Sequence, residues 1–267
     1  MMQIISADER LRERRGAKVL IVGPTGVGKT SLLRTFSDPA RVLFVDAEAG
    51  DLSVLSLRVP TIRLDDWPTA RDLACRIGGP NISFPPTACY SPAHFEAVGG
   101  YLEDLECYDT VFIDSLTQLT RLSLRWSQQQ DEAFSERTGR KDVRGAYGLH
   151  AREMILWLNQ LQHALAKNVV YVGILERVVD ELKAATWQLQ AEGSKTSREL
   201  PGIVDQIITY QFLDFGDGKP LERAFVCTNP NPWGYPAKDR SGRLDQIEQP
   251  DLGKLLNKLT NRGESRD

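Results

Sequence analysis

Short apolar runs recur along the chain, each closed by polar or glycine-rich residues and followed by a stretch of helical spacing. Residues 6–15 carry mixed charge and predict a solvated surface helix or arm. Lys18-Val19-Leu20-Ile21-Val22 predicts the first buried strand, and residues 31–36 the opening turns of a helix. Arg41-Val42-Leu43-Phe44-Val45-Asp46 predicts a second strand and residues 59–64 a short third. A helix follows from Pro68 to about Ile77, closed by Gly78-Gly79-Pro80. Residues 81–92 read as a proline-rich loop and 93–106 as a helix. The strand Thr110-Val111-Phe112-Ile113-Asp114-Ser115 leads into a long helix ending near Gln130. Residues 131–148 are polar and basic and read as a loop. Ile155, Leu156, Leu158, Leu161 and Leu165 give 149–166 a helical stripe, and 169–175 is a strand of buried type. Residues 176–198 lack periodicity and predict a long loop. Strands at 203–212 and 223–228 flank the turn Gly216-Asp217-Gly218, and a helix at 251–259 ends the pattern. Strands alternating with helices predict an α/β fold: a mostly parallel central sheet flanked by helices, with C-terminal antiparallel hairpin strands.

Composition adds little beyond exclusions. The 267 residues are 41% hydrophobic and 26% charged, with a net charge of −3. That size suits an arm over residues 1–16 and a single domain over 17–267. No apolar run approaches the ~18 residues of a membrane span. Cys75, Cys89, Cys107 and Cys227 are scattered without a C-x-x-C pair, which points to reduced thiols and a cytoplasmic setting. His94, His150 and His163 are too dispersed for a metal site. Nucleic-acid binding would have to come from local basic loops.

The chemistry starts at Gly23-Pro24-Thr25-Gly26-Val27-Gly28-Lys29-Thr30, which fits G-x-x-x-x-G-K-[ST] between a strand and a helix. Glycines let the backbone curl so that successive N–H groups face anionic oxygens. Lys29 would reach the β- and γ-phosphates, Thr30 would offer its hydroxyl to Mg²⁺, and Ser31 would extend the cradle. Asp114, closing an apolar strand beside this loop, is the candidate second group for Mg²⁺. Glu48 stands just past the strand after the phosphate loop, where a carboxylate could deprotonate the water that attacks the γ-phosphate. Asp214-Phe215-Gly216 matches a kinase triplet without the accompanying kinase motifs, so a hairpin turn is the better reading. No Asn-Lys-x-Asp guanine-reading motif is present.

Val45-Asp46-Ala47-Glu48-Ala49 and Ile113-Asp114-Ser115, behind the phosphate loop, resemble the ATPase core of the RecA recombinase family. More closely, the chain resembles short phage and prophage RecA-like nucleotide-binding proteins, which include ATP-dependent single-strand annealing recombinases. Gly193-Ser194-Lys195-Thr196, Leu200-Pro201-Gly202-Ile203-Val204-Asp205 and Trp233-Gly234-Tyr235-Pro236-Ala237-Lys238-Asp239-Arg240 carry that closer match, and the likeness spans roughly 17–260.

The resemblance implies a RecA-like P-loop ATPase with ATP and Mg²⁺ as cofactors, Glu48 as base and Lys29 among the catalytic residues. It implies a homo-oligomer with nucleotide at subunit interfaces, in which Lys238 and Arg240 reach the neighbouring subunit's γ-phosphate. It also implies two DNA-facing loops. Arg137, Arg140, Lys141 and Arg144 match the first in position, Lys183, Lys195 and Arg198 the second, with Trp187 as a base-stacking candidate. Single-stranded DNA and a single-strand binding protein are the implied partners, in a bacterial host cytoplasm if the chain is phage-encoded. One departure stands out: RecA-type proteins place a polar γ-phosphate sensor where this chain has Leu175, leaving Glu176 or Arg177 to substitute. The rival reading is an ATP-bound switch or assembly factor acting on a protein partner in phage replication or packaging.

Overall fold

A computed structural model describes residues 4–179, 185–216, 218 and 220–260. Its strands in chain order are β1 (Lys18–Gly23), β2 (Val42–Asp46), β3 (Thr61–Arg63), β4 (Thr110–Asp114), β5 (Asn168–Val179), β6 (Ala185–Leu189), β7 (Gln206–Leu213), β8 (Glu222–Val226), β9 (Lys238–Asp239) and β10 (Ile247–Glu248). They join one sheet in the order β10-β8-β7-β1-β5-β4-β2-β3, with β6 added to β5 and β9 to β7. β3, β2, β4, β5, β1 and β7 run parallel. β8 closes one side antiparallel to β7, as the Gly216-Asp217-Gly218 turn predicts, and β10, which has no hydrophobic run to announce it, adds antiparallel to β8.

Every residue of β1, β2 and β4 is buried, which explains why these strands read as unbroken apolar runs rather than alternating ones. One face packs α2 (Trp67–Gly78), α4 (Leu116–Ser127) and α5 (Val143–Gln162) through Trp67, Leu73, Leu119, Met154 and Trp157. The other packs a 3₁₀ turn, Thr30–Thr35, and the terminal helix α7 (Leu252–Thr260) through Leu32, Leu33, Leu255 and Leu256. The remaining helices are α1 (Ala7–Arg12), α3 (Pro92–Ala97) and α6 (Ser194–Ile203). α1 has a capping box from Ser6 and Glu9 and buries none of its residues.

Several expectations change. The helix expected over 93–106 stops at Ala97, because Gly99 and Gly100 take positive φ and the Gly100 amide donates back to the Phe95 carbonyl. The loop expected over 131–148 ends early: Asp142 caps α5, which begins at Val143 and carries Arg144. Residues 176–198 are the larger correction. β5 runs on past the sheet to Val179 and pairs with β6, and α6 begins at Ser194, so Lys195 and Arg198 stand on a helix. The hairpin's apolar packing is spread between Leu175, Leu189 and other elements, which left no local period to read. Among the described residues, no helix is long and apolar enough to cross a membrane.

Candidate nucleotide site

The parallel register brings Gly23, Asp46, Asp114 and Ile174 to one edge of the sheet, at the carboxyl ends of neighbouring strands. Ligands of open α/β sheets bind at this edge. Gly23 leaves β1 directly against β7: a Cβ there would lie 2.3 Å from the Tyr210 carbonyl oxygen. Gly26 and Gly28 then turn with φ of +79° and +99°, a left-handed geometry that glycine adopts freely. Thr25 and Gly26 are exposed at the tip, while Val27 is buried and anchors the loop to the core. Pro24, Gly28 and Ser31 are partly exposed. The expected α-helix after the loop is a 3₁₀ turn, tied by the Thr35 hydroxyl to the Leu32 carbonyl at 2.7 Å.

Lys29 Nζ donates to the carbonyl oxygens of Gly23 and Pro24, each at 3.0 Å, so the ammonium is held inside the curl of the loop. Burial lowers its pKa, and the charges of Asp114 and Glu48 pull it back up. Thr30 Oγ1 donates to Asp114 Oδ2 at 2.5 Å. Asp114 is 4% exposed, and its carboxyl is pushed up to about 6, first by burial and then by the neighbouring charges of Glu48 and Asp46. The Thr30 hydrogen bond and Lys29 act in the opposite direction.

Glu48 is exposed, and its carboxylate accepts a hydrogen bond from the Ser115 hydroxyl. Its backbone amide donates to Asp46 Oδ1 at 3.0 Å, and so does that of Gly50 at 3.2 Å. Asp46 therefore shapes the turn that carries Glu48. Its other oxygen, Oδ2, is buried with no hydrogen-bond partner among the described residues. The Thr30 hydroxyl at the start of the 3₁₀ turn, with the buried Asp114 carboxylate and the orphaned Asp46 oxygen at the ends of adjacent strands, suits a hard divalent cation. Among the described residues no group of three or more acidic, histidine or cysteine side chains could hold a metal ion by itself. Mg²⁺ takes one or two carboxylates and completes its shell with phosphate and water, so Thr30 and Asp114 would be enough protein ligands for it.

Lys238 and Arg240 lie elsewhere. Their strand β9 pairs with Gln206 and Ile207, at the amino end of β7 and the edge opposite the phosphate loop. Lys238 Nζ donates to the carbonyls of Pro201 (2.5 Å) and Val204 (2.8 Å), at the end of α6. Arg240 pairs with Asp205 at 2.8 Å and donates to the Gly202 carbonyl at 3.1 Å. Within one chain, neither reaches the site. Leu175 is buried opposite Leu189, Glu176 accepts from Gln188 at 3.1 Å, and Arg177 is exposed. Arg137, Arg140, Lys141 and Arg144 are all exposed beyond α4, the first three around the bridge Phe134–Lys141. Lys195 and Arg198 are exposed on α6, with Lys195 4.0 Å from Glu199; Lys183 lies outside the described residues. Trp187 is half-buried, edge-on to Tyr235 at 5.4 Å.

Three contributors escaped the sequence reading as site residues. Asp46 and Ser115 sit inside the motif strings, but their roles depend on which side chains the turn brings together. Arg223 on β8 had no signal at all: it approaches the phosphate loop across 196 residues, with Nη1 3.5 Å from the Val27 carbonyl.

A family model described as AAA domain (AAA_24) matches residues 15–241, and the chain belongs to that family of P-loop nucleoside triphosphatases. Its α/β architecture, with the phosphate loop at the carboxyl edge of a mostly parallel sheet and antiparallel C-terminal strands, is the RecA-like core. The family implies a bound nucleotide with Mg²⁺. No curated protein matches the chain. Among solved structures, a KaiC-like protein from the hyperthermophilic archaeon Pyrococcus horikoshii OT3 shares 12% identity, covering 79% of this chain and 78% of that one, with a TM-score of 0.37. The RadB recombinase shares 15% identity, covering 80% of each chain, with a TM-score of 0.39.

Proposed function

We propose that the chain hydrolyses ATP on the loop Gly23–Thr30 and does so as a homo-oligomer that binds single-stranded DNA for annealing or recombination. The observation that carries the hydrolytic part is the meeting of Lys29, Thr30, Asp114 and Glu48 at one sheet edge. Backbone amides of the loop and Lys29 bind the phosphates, and Thr30 and Asp114 would hold Mg²⁺. The ion, when bound, neutralises charge developing on the phosphate oxygens. Glu48, steadied by the Ser115 hydroxyl and by the turn around Asp46, accepts the proton of the attacking water. Lys238 and Arg240 act in trans in this reading, so hydrolysis depends on assembly. Mixing Arg240→Ala subunits with Lys29→Ala subunits tests that arrangement: recovered activity supports it, and an inactive mixture of two folded variants removes it.

DNA binding is supported by the four exposed cations at 137, 140, 141 and 144 and by the resemblance of the segments 193–196, 200–205 and 233–240 to those of annealing recombinases. Cations spaced along a glycine-containing segment suit phosphate contact without base reading. The second reading, a nucleotide-dependent switch acting on a protein partner in phage replication or packaging, is favoured by the net charge of −3. One experiment separates the two: the ATPase rate of the full chain with and without single-stranded oligonucleotide at low salt. Stimulation and retention of the oligonucleotide support the first. A rate indifferent to DNA, with no oligonucleotide retained, would remove it and leave the second.

A further inference from the structure

The β7–β8 hairpin carries a cation that the reading above does not use. Arg223 stands directly across from Phe212 in the antiparallel register. Strand alternation puts Tyr210, Phe212, Arg223 and Phe225 on the face that also packs the Thr30–Thr35 turn. The hairpin is pressed as close to the phosphate loop as backbone allows, since the Tyr210 carbonyl occupies the space a Cβ of residue 23 would need. Arg223 Cζ lies 5.5 Å from the Phe212 ring centroid. Nη1 comes within 3.0 Å of the point where a Cβ at position 28 would sit, and the Tyr210 hydroxyl lies 3.8 Å from the same point.

The described residues alone do not account for what the guanidinium does there. No carboxylate among the described residues pairs with it within salt-bridge distance, in a chain where Arg14, Arg41, Arg63 and Arg240 each have one. Its hydrogen bond to Val27, at 3.5 Å, is at the outer limit for such a bond. Phe212, itself 41% exposed, supports the planar group and leaves its N–H edges open. An arginine whose donors are largely unpaired among the described residues, beside a curled glycine loop, is chemically matched to phosphate oxygens, which it can grip with two parallel bonds where a lysine offers a point charge.

We propose that Arg223 is a second phosphate-binding cation of the nucleotide site, supplied in cis by the β7–β8 hairpin and acting alongside Lys29. The inference rests on the proposed binding of a nucleoside triphosphate at Gly23–Thr30. Phe212 orients the guanidinium, so loss of that ring weakens binding by a smaller factor than loss of the arginine.

The test uses the full chain with Mg²⁺ and compares wild type, Arg223→Ala and Arg223→Lys. Two ligands are titrated by calorimetry: ATP, and inorganic tripolyphosphate, which keeps the phosphates and lacks the nucleoside. Removing a charge-assisted hydrogen bond predicts about 10- to 100-fold weaker binding of both ligands to Arg223→Ala. Arg223→Lys recovers part of it, and unfolding temperatures stay unchanged because the side chain is exposed. Weakening of ATP alone, with tripolyphosphate unaffected, would make the Arg223–Phe212 pair a base platform and overturn the proposal. Unchanged affinity for both ligands would also overturn it while leaving the nucleotide site intact. A wild-type protein that bound neither ligand would overturn the nucleotide site itself, and this inference with it.

Discussion

Lys18 opens β1 at 2% exposure, an unusual place for an ammonium group. Its Nζ donates to the carbonyls of Ala164 (3.0 Å) and Lys167 (2.8 Å), just past the end of α5. Burial pushes its pKa down to about 8; the Asp205 carboxylate resists that shift and Arg15 adds to it. Against an ordinary value of 10.5, the depression corresponds to about 3 kcal/mol at ~1.4 kcal/mol per pH unit. The direction follows from proton counting. Between pH 8 and 10.5 the unfolded chain holds this proton more often than the folded chain, so stability rises with pH across that window. Below pH 8 the full cost of the buried charge is present. Lys18→Met removes the titration while keeping most of the volume, at the constant cost of two carbonyls left without their donor. Urea unfolding of both proteins at pH 7.5, 8.5, 9.5 and 10.5 reads the effect. The wild type should gain about 3 kcal/mol relative to Lys18→Met over that range. Because the comparison is a difference, tyrosine and cysteine titrations common to both proteins cancel. Two stability curves that stay parallel from pH 7.5 to 10.5 would refute the reasoning.

Three further outcomes bear on the site. Glu48→Gln keeps the side-chain volume and should bind ATP normally while hydrolysing it on the order of 10²-fold more slowly; single-turnover rates check this, and an unchanged rate would remove Glu48 as the base. Asp114→Asn should lose Mg²⁺-stimulated hydrolysis yet melt higher than wild type in EDTA at pH 8, because it removes a buried carboxylate raised to about 6; a lower melting temperature would contradict that account. Replacing Arg137, Arg140, Lys141 and Arg144 together with glutamine should flatten the salt dependence of oligonucleotide binding by about one unit of slope for each phosphate those cations neutralise. An unchanged slope would clear that segment of any role in holding DNA.

The fold was legible wherever burial was two-sided. β1, β2 and β4 are covered on both faces, so each appears in the sequence as a continuous apolar block, and the glycine loop marks where β1 ends. The β5–β6 hairpin was illegible for the opposite reason. Val178, Val179, Ala185 and Thr186 are exposed, so strand pairing there is held by backbone hydrogen bonds that leave no hydrophobic period. The site divides in the same way. Lys29, Thr30 and Asp114 sit inside contiguous motifs, and their neighbours in sequence announce them. Asp46 acts through two amides and an orphaned oxygen, and Arg223 depends on a hairpin register fixed only after the sheet has assembled.

β5 is one unbroken strand of twelve residues with two occupations. Its first half is the sheet's central stave, hydrogen-bonded between β1 and β4, where Ile174 lies level with Gly23. Its last five residues, Leu175–Val179, pair with β6 outside the parallel sheet and extend roughly 16 Å at ~3.3 Å per residue. Leverage follows from that continuity. A tilt imposed on the hairpin by anything that grips it pivots about the residues beside Gly23, with no flexible joint between. That continuity predicts that force applied to the far end of β5 is felt beside the phosphate loop. Amide hydrogen exchange at Gly23 and Ile174 would register that force, and exchange indifferent to a clamp placed on the hairpin would show the two ends to be uncoupled.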